Sequence, residues 1–284
     1  MLVLRFAGAP GMNVAYRVAP SAAAAAFDRV ADSYDELFTY TAVGCAQRKQ
    51  VWARLVAAFP PSSRILELNC GTGEDARFLA KLGCFVMACD ASIGMIQVAR
   101  DRTRTEGKFA NIQYCAIANE DLDALAADNP FDGAFSNFSG LNCVPDLSSV
   151  AHSLANLVKP GGRVLICVWS RVCVAEVIWY LLHGQMKKAV RRFSGKATAR
   201  LGGISIPVAY PSIAECRSAF LPHFRLASRR AIGLFVPPSP VEPWIRKYPN
   251  LLISLERLDE ICGAWAIFRD VGDHVLLEFV RCSL

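Results

Sequence analysis

The feature that most constrains this chain is a short apolar strand that runs into a glycine-containing turn and then directly into a helix. The strand is Ile65–Leu68, the turn is Asn69-Cys70-Gly71-Thr72-Gly73, and a helical pattern begins at Asp75. Glycines let a backbone turn tightly and approach a ligand that a Cβ atom would exclude, and the helix N-terminus offers free N–H groups. The motif therefore predicts a ligand-binding loop at the edge of an open α/β sheet.

Strand-length apolar runs alternate with helical patterns around this turn. The predicted strands are Arg64–Leu68, Cys84–Asp90, Ile112–Ala116, Phe131–Phe138 and Arg163–Trp169, and the helices between them are Asp75–Leu82, Ser92–Thr103, Glu120–Ala127 and Leu147–Val158. Such alternation with short connections predicts βαβ units and a parallel sheet covered by helices on both faces. Two further strands are expected at Arg225–Phe235 and His274–Arg281.

The remaining segments set the domain organisation. Residues 1–20 are expected to be a leader whose order the sequence leaves open, and residues 21–284 a single domain. Ser21 is expected to cap a first helix that reaches Phe38, and a second helix covers Ala46–Phe59. Two interruptions of the pattern, at about 171–222 and 237–272, are expected to be helical insertions that cap the site.

Composition excludes several other classes of protein. With 53% hydrophobic and 20% charged residues, the chain can build a sizeable core, and its net charge of +6 does not by itself indicate nucleic acid. The eleven cysteines show no metal-ligand spacing, so we expect reduced thiols in a cytoplasmic protein and no metal site. The apolar stretch Val172–Leu182 is too short for a membrane span, which needs about 20 residues. Oligomeric state is left open.

An acidic residue at the end of the second strand restricts the class of ligand that this loop is expected to bind. Asp90 follows Gly71 by 19 residues, a spacing that suits a carboxylate holding two ribose hydroxyls. The G-x-G-x-x-G fingerprint of dinucleotide sites is absent, and Glu67 in the strand would repel a pyrophosphate. The sulfonium and amino groups of S-adenosylmethionine suit that carboxylate, so this cofactor is expected, with NAD as the alternative.

Three segments resemble the motifs of class I S-adenosylmethionine-dependent methyltransferases: Leu66–Gly73, Asp90-Ala91-Ser92 with Met95, and Leu157–Arg163. Phe27-Asp28 with Tyr34 resembles the helix that precedes this fold in small-molecule members, such as those of quinone and biotin biosynthesis. The resemblance covers about residues 27–170. It implies a Rossmann-like α/β fold with a seven-stranded sheet in the order 3-2-1-4-5-7-6.

The resemblance also implies a set of cofactor-binding residues. They are Tyr34, Glu67, Asn69, Cys70, Gly71, Gly73, Asp90, Ala91, Ser92, Met95, Asn119, Glu120, Asn137, Phe138 and Ser139. Asn69 stands where the family has its first glycine, and asparagine tolerates positive φ. Ala118 stands where many relatives have an aspartate for the adenine amino group, so Asn119 or Glu120 is expected to take that role.

Three further residues are candidates for the chemistry at the acceptor. Asn142 follows the fourth strand, and Tyr210 lies in the first insertion. His274 begins the last strand, which in this fold is antiparallel and would start where the parallel strands end. His274 is a candidate general base for a hydroxyl acceptor. The alternatives are a structural histidine at a strand edge, an Asn142 that caps a turn, and a Tyr210 that packs in the core.

The expected function is methyl transfer to a small, hydrophobic metabolite, at oxygen rather than nitrogen or carbon. No Asp/Asn-Pro-Pro-Tyr tetrapeptide follows the fourth strand, which disfavours base or amide N-methylation. The alternatives are an RNA or protein methyltransferase, a catalytically silent binding protein of the same fold, and non-methyl chemistry on the cofactor. The basic run Lys187–Arg192 is either solvated surface or a site for an anionic substrate, a carrier-protein arm or a membrane.

Overall fold

The computed structural model describes residues 21–107, 109–125 and 129–283. The strands in these residues are β1 Arg64–Leu68, β2 Phe85–Asp90, β3 Ile112–Ala116, β4 Phe131–Ser136, β5 Val158–Trp169, β6 Lys196–Leu201, β7 Ile204–Ala209, β8 Phe224–Ile232 and β9 His274–Arg281. Seven of them form one sheet in the order β3-β2-β1-β4-β5-β9-β8. Strands β1 to β5 pair in parallel, and β9 lies antiparallel between β5 and β8. Counting only the strands of this sheet, the order is 3-2-1-4-5-7-6, which confirms the predicted fold class.

Helices cover the sheet and connect its strands. They are α1 Ala22–Val30, α2 Ala42–Ala58, α3 Glu74–Lys81, α4 Ile93–Glu106, α5 Leu147–Leu157, α6 Val174–Leu182, α7 Met186–Ala189, α8 Ile213–Phe220, α9 Glu242–Ile245 and α10 Pro249–Cys262. Ser21 Oγ accepts the N–H of Ala24 at 3.1 Å, which is the predicted cap of the first helix. In the described part of the chain, every helix is too short or too polar to cross a bilayer.

The central strands are apolar because both faces of the sheet are covered. Leu66 and Leu68 of β1 point to one face, where they pack in a cluster with residues of α5 and α8. Ile65 points to the opposite face and packs with residues of α2, α3 and α4. The period of two along β1 thus divides its side chains between two cores. Glu67 shares the face of Ile65 and is the one charged residue of β1 that is fully buried.

Two predicted helices differ from the structure. The first helix ends at Val30, and the chain continues as a 3₁₀ turn at Ala31–Ser33 and a π-helical segment at Asp35–Thr39. The predicted helix Glu120–Ala127 is instead a 3₁₀ segment, Asn119–Leu125, and residues 126–128 lie outside the described residues. Asparagine and aspartate are weak helix formers, and so short a segment lacks the length that stabilises an α-helix.

The first insertion is not purely helical, which corrects the prediction of helical caps. After α6, α7 and a 3₁₀ turn at Arg191–Ser194, strands β6 and β7 pair as an antiparallel hairpin. Gly202 and Gly203 form its turn with φ of 54° and 80°, the geometry that favours Gly-Gly in two-residue hairpins. The second insertion contains the 3₁₀ turn Ser239–Val241 with α9 and α10. The predicted leader, residues 1–20, lies outside the described residues.

Candidate functional site

A cleft of about 680 Å³ opens at the carboxyl ends of β1, β2 and β4. Ten of the predicted cofactor-binding residues line it: Tyr34, Asn69, Gly71, Asp90, Ala91, Met95, Asn119, Glu120, Asn137 and Phe138. The other lining residues come from α1 and its start and from the segment after β4: Ser21, Ala23, Ala24, Phe27, Gly140, Cys143 and Val144. Ligands of open α/β sheets bind at this edge, so the fold and the cleft indicate the same place.

The turn after β1 adopts the backbone geometry that its residue types suggest. Asn69, Gly71 and Gly73 have φ of 56°, 53° and 75°, so the expectation that Asn69 tolerates positive φ is confirmed. Ser136 Oγ at the end of β4 donates to Asn69 Oδ1 at 3.1 Å. This bond ties the turn to the strand beside it and fixes the floor of the cleft.

Asp90 is the carboxylate of the cleft. Its Oδ2 accepts the N–H of Gly71 at 2.9 Å, and its Oδ1 accepts the N–H of Ser92 at 2.8 Å. Burial raises its pKa to about 6, opposed by these backbone hydrogen bonds and assisted by the negative charge of Asp28. An ionised carboxylate oxygen accepts two hydrogen bonds, so each oxygen of Asp90 keeps a free position for a ligand hydroxyl.

Glu67 lies beneath the cleft rather than in its wall. Its side chain is 1% exposed, and Oε2 has no hydrogen-bond partner among the described residues. Burial, reinforced by the charge of Asp75 and opposed by Arg48, raises the pKa of Glu67 well above its ordinary value. The surroundings of this carboxyl group thus favour its protonated form, and a negative charge at Glu67 that meets the cofactor stays a prediction.

Four other predicted binding residues shape the cleft without lining it. Gly73 lies against Tyr114, where a Cβ atom would come within 2.5 Å of the phenol oxygen. The N–H of Cys70 donates to Cys89 O at 2.9 Å, and that of Ser139 donates to Cys167 O at 3.0 Å. These contacts hold the backbone of two loops in place, and a direct contact of the three residues with the cofactor stays a prediction.

Ser92 is the fourth of these residues and joins two helices. Its Oγ accepts the N–H of Met95 at 3.0 Å as the cap of α4, and it donates to Asp28 Oδ1 at 2.6 Å. The same Asp28 oxygen accepts the N–H of Gly94 at 2.8 Å. Asp28 thus fixes α1 across the start of α4. Sequence reasoning did not assign this role, although Phe27-Asp28 was part of the recognised pattern.

None of the three proposed catalytic residues lines the cleft. Asn142 uses both ends of its amide, since Nδ2 donates to Ala209 O at 2.6 Å and Oδ1 accepts the N–H of Trp169 at 3.1 Å. Tyr210 is buried with its ring 5.7 Å from that of Trp169. Asn142 and Tyr210 therefore attach the β6–β7 hairpin and its flank to the end of β5.

His274 lies one aromatic ring behind the cleft. Its ring packs edge-on against Phe138, with 5.4 Å between centroids, and Phe138 is a wall of the cleft. Burial lowers the pKa of His274 to about 4, with Asp273 opposing and Arg192 assisting the shift. The imidazole is therefore neutral at pH 7, and its position corresponds to the structural alternative for this histidine.

One group of side chains in the described residues has the spacing of metal ligands: Cys173, Glu176 and Asp273. All three are buried, but Arg192 donates to Glu176 Oε2 and, at 2.7 Å, to Asp273 Oδ1. The guanidinium already supplies the positive charge that the two carboxylates need. This group is an ion-pair network that joins the first insertion to the start of β9.

The sheet order and the cleft at the ends of β1, β2 and β4 define a Rossmann-like domain of the methyltransferase type. A protein-family model described as a methyltransferase domain matches residues 65–162. The demethylmenaquinone methyltransferase of Thermobifida fusca is 34% identical over 158 residues, which are 55% of this chain and 64% of that relative. The chain thus spans less than two thirds of that relative's length.

Two other proteins extend the comparison. The demethylmenaquinone methyltransferase of Paenarthrobacter aurescens is 30% identical over 200 residues, covering 69% of this chain and 71% of the relative. The CcbJ methyltransferase of Streptomyces caelestis has a similar fold, with a TM-score of 0.61 at 15% identity over 91% of this chain and 98% of that chain. The chain belongs to the class I S-adenosylmethionine-dependent methyltransferases, and the cofactor of this family is S-adenosylmethionine.

The cleft fits this cofactor on two observations. Asp90 offers free acceptor positions of the kind that the two hydroxyls of a ribose require. Oε2 of Glu67, in the strand that leads into the turn, is buried and has no hydrogen-bond partner among the described residues, and a bound polar group is what such an atom ordinarily requires.

Proposed function

We propose that this protein transfers the methyl group of S-adenosylmethionine to a small, hydrophobic acceptor with a quinone-type ring. The observation that carries the proposal is the cleft itself, in which Asp90, the glycine turn and the segment after β4 meet. The quinone class is supported by the relatives from Thermobifida fusca and Paenarthrobacter aurescens, at 34% and 30% identity, which are both named demethylmenaquinone methyltransferases.

The residues of the cleft divide into polar and apolar walls. Asp90 would hold the ribose hydroxyls, with Asn119 and Glu120 at the adjoining wall for the adenine. Phe27, Tyr34 and Phe138 supply an aromatic lining, and Phe27 and Tyr34 contact each other edge-on at 6.1 Å. Bound S-adenosylmethionine supplies an electrophilic methyl group for direct displacement. The chain's contribution is to align the acceptor with it and exclude water.

The acceptor atom stays a prediction. Transfer to oxygen was favoured from the sequence, and it would benefit from a base. Asn142, Tyr210 and His274 do not line the cleft; among the described lining residues the candidates for a base are Asp90, Glu120, Tyr34 and Cys143, besides a group of the acceptor itself. The preference for oxygen over carbon therefore rests on the sequence argument alone.

The test combines binding with product analysis. Calorimetry should give a one-to-one heat of binding for S-adenosylmethionine and for S-adenosylhomocysteine. Incubation with reduced naphthoquinones that lack one ring methyl should add 14 mass units to the acceptor, and NMR of the product separates an O-methyl from a C-methyl group. Cofactor binding with no transfer to any quinone-type acceptor would contradict the acceptor class. Absence of cofactor binding would contradict the whole proposal.

A further inference from the structure

Helix α6 buries its polar face and exposes its apolar face, which is the reverse of an ordinary surface helix. Glu176 and Tyr180 are 2% and 8% exposed on its inner face, whereas Val174, Ile178 and Leu182 are 46%, 52% and 79% exposed on its outer face. Surface helices normally turn an apolar stripe inward and charged residues outward. The apolar outer face of α6 is therefore exposed, where a surface helix would ordinarily bury it against other residues.

Buried ion pairs hold α6 in this orientation. Glu176 accepts from Arg192 and lies 3.1 Å from Arg191, and Arg192 also donates to Asp273 at 2.7 Å. Rotating the helix to bury its apolar face would separate Glu176 from Arg192 and Arg191 and break a buried ion pair on one side, which is strongly destabilising. The exposure of the apolar face is thus built into the attachment of the insertion to the sheet.

The apolar surface continues beyond α6. We call it the cap patch, and it consists of Ile178, Leu181, Leu182, Met186, Val190 and Phe193, each more than 40% exposed. So many exposed apolar side chains on neighbouring turns of the chain are typical of an interaction surface rather than of ordinary exterior. The patch follows β5, whose end lies at the edge of the sheet that carries the cleft.

The charged side chains within the stretch of chain that carries the cap patch have one sign. From residue 177 to residue 214 the sequence contains no aspartate or glutamate. Lys187, Lys188, Lys196 and Arg200 are exposed in this stretch, and none of them makes an ion pair with another described residue. A basic rim around apolar side chains complements an anionic bilayer, in which the apolar residues enter the interface and the lysines meet lipid headgroups. A second copy docked face to face would place the same positive rims against each other.

We propose that the cap patch docks this protein on the surface of an anionic lipid bilayer. The helices α6 and α7 lie at the interface, because each is far shorter than a membrane span. The proposal concerns the surface alone and does not depend on the identity of the acceptor.

The test is co-sedimentation of the full chain with vesicles, without cofactor or acceptor. Binding is expected to vesicles of phosphatidylcholine with 30% phosphatidylglycerol, to be at least about tenfold weaker on pure phosphatidylcholine, and to weaken in 0.5 M salt. Leu182→Asp with Met186→Asp and, separately, Lys187→Glu with Lys188→Glu should each reduce the partition coefficient at least about tenfold. All four residues are exposed, so these variants should keep the wild-type melting temperature.

Matched controls lie on α10 and in the turn that follows α9. Ile253→Asp on α10 places the same charge at a side chain that is 47% exposed, and Arg246→Glu with Lys247→Glu reverses two other exposed charges. These controls should bind vesicles like the wild type. Equal loss in the controls, or unchanged binding in the patch variants, would overturn the proposal. So would a concentration-dependent dimer that Leu182→Asp with Met186→Asp abolishes in a protein that binds no vesicles, because the patch would then be a contact between copies.

Discussion

The carboxylate of Asp90 at the end of β2 accepts the backbone N–H of Gly71 in the turn after β1, at 2.9 Å. One bond therefore joins the two sequence features that defined the cofactor site, and it orients the carboxylate toward the cleft. The remaining acceptor positions of Asp90 are the ones that a ribose would use.

Replacing this carboxylate should weaken cofactor binding. We expect Asp90→Ala to reduce the affinity for S-adenosylmethionine by about 1–3 kcal/mol, because two hydrogen bonds to the ribose are lost. Asp101→Ala removes an exposed carboxylate that pairs with Arg104 on α4 and should leave affinity unchanged. Calorimetry measures both. Wild-type affinity in a folded Asp90→Ala variant would show that Asp90 does not hold the ribose.

The raised pKa of Asp90 predicts a pH dependence of binding. If the ionised carboxylate accepts from both ribose hydroxyls, as proposed, affinity should be full above the pKa of about 6 and fall as pH drops through it. At one unit below that pKa, the ionised fraction and hence the affinity are about tenfold lower. Titrations between pH 5 and pH 8 measure this, with Asp90→Asn as the control, because the amide does not titrate. A similar loss of affinity at acidic pH in Asp90→Asn would show that another group causes the pH dependence.

Glu67 should make the folded state less stable as pH rises. The pKa of its carboxyl is raised by burial in the folded protein, whereas in the unfolded chain it has the ordinary value of 4.5, so its contribution is greatest below that pH and is lost as pH rises toward the folded-state pKa. Glu67→Gln removes this titration while keeping the shape. The free energy of unfolding of the variant, relative to wild type, should therefore increase between pH 5 and pH 8 in urea denaturation. Glu36→Gln, at an exposed residue, is the control, and a pH-independent difference at Glu67 would contradict a protonated carboxyl.

The sequence predicted most of the sheet and ten lining residues of the cleft, because both depend on local signals. Apolar runs marked the strands. The turn residues come directly after the end of β1, and Asp90 is the last residue of β2. Local signals do not show whether the side chains of the three catalytic candidates face the cleft. Whether Asn142 faces the cleft depends on Ala209, 67 residues away, which accepts its amide hydrogen bond. His274 lies at the expected edge, but Phe138 stands between it and the cleft.

Contacts between segments that are distant in sequence also explain two features that the sequence did not predict, the role of Asp28 and the β6–β7 hairpin. The role of Asp28 requires α1 to pack on α4, which no spacing along the chain reveals. The β6–β7 hairpin had a local signal in Gly202-Gly203, but the polar alternation of its exposed strands is weak next to the helical pattern before it.

The attachment of the first insertion supplies the last prediction. Arg192 is 5% exposed and donates to Glu176 and to Asp273, so Arg192→Met leaves two carboxylates buried around an apolar side chain. Gln47 still donates to Asp273 at 3.2 Å, and Arg191 still lies beside Glu176, but neither replaces the bridge. We expect a loss of about 3–5 kcal/mol in the free energy of unfolding, as for other buried pairs broken on one side. Arg191→Met is the matched control and should cost less than about 1 kcal/mol, because its side chain is 37% exposed and solvent screens the pair. Urea denaturation measures both, and equal losses in the two variants would mean that the bridge from Glu176 to Asp273 does not hold the insertion on the sheet.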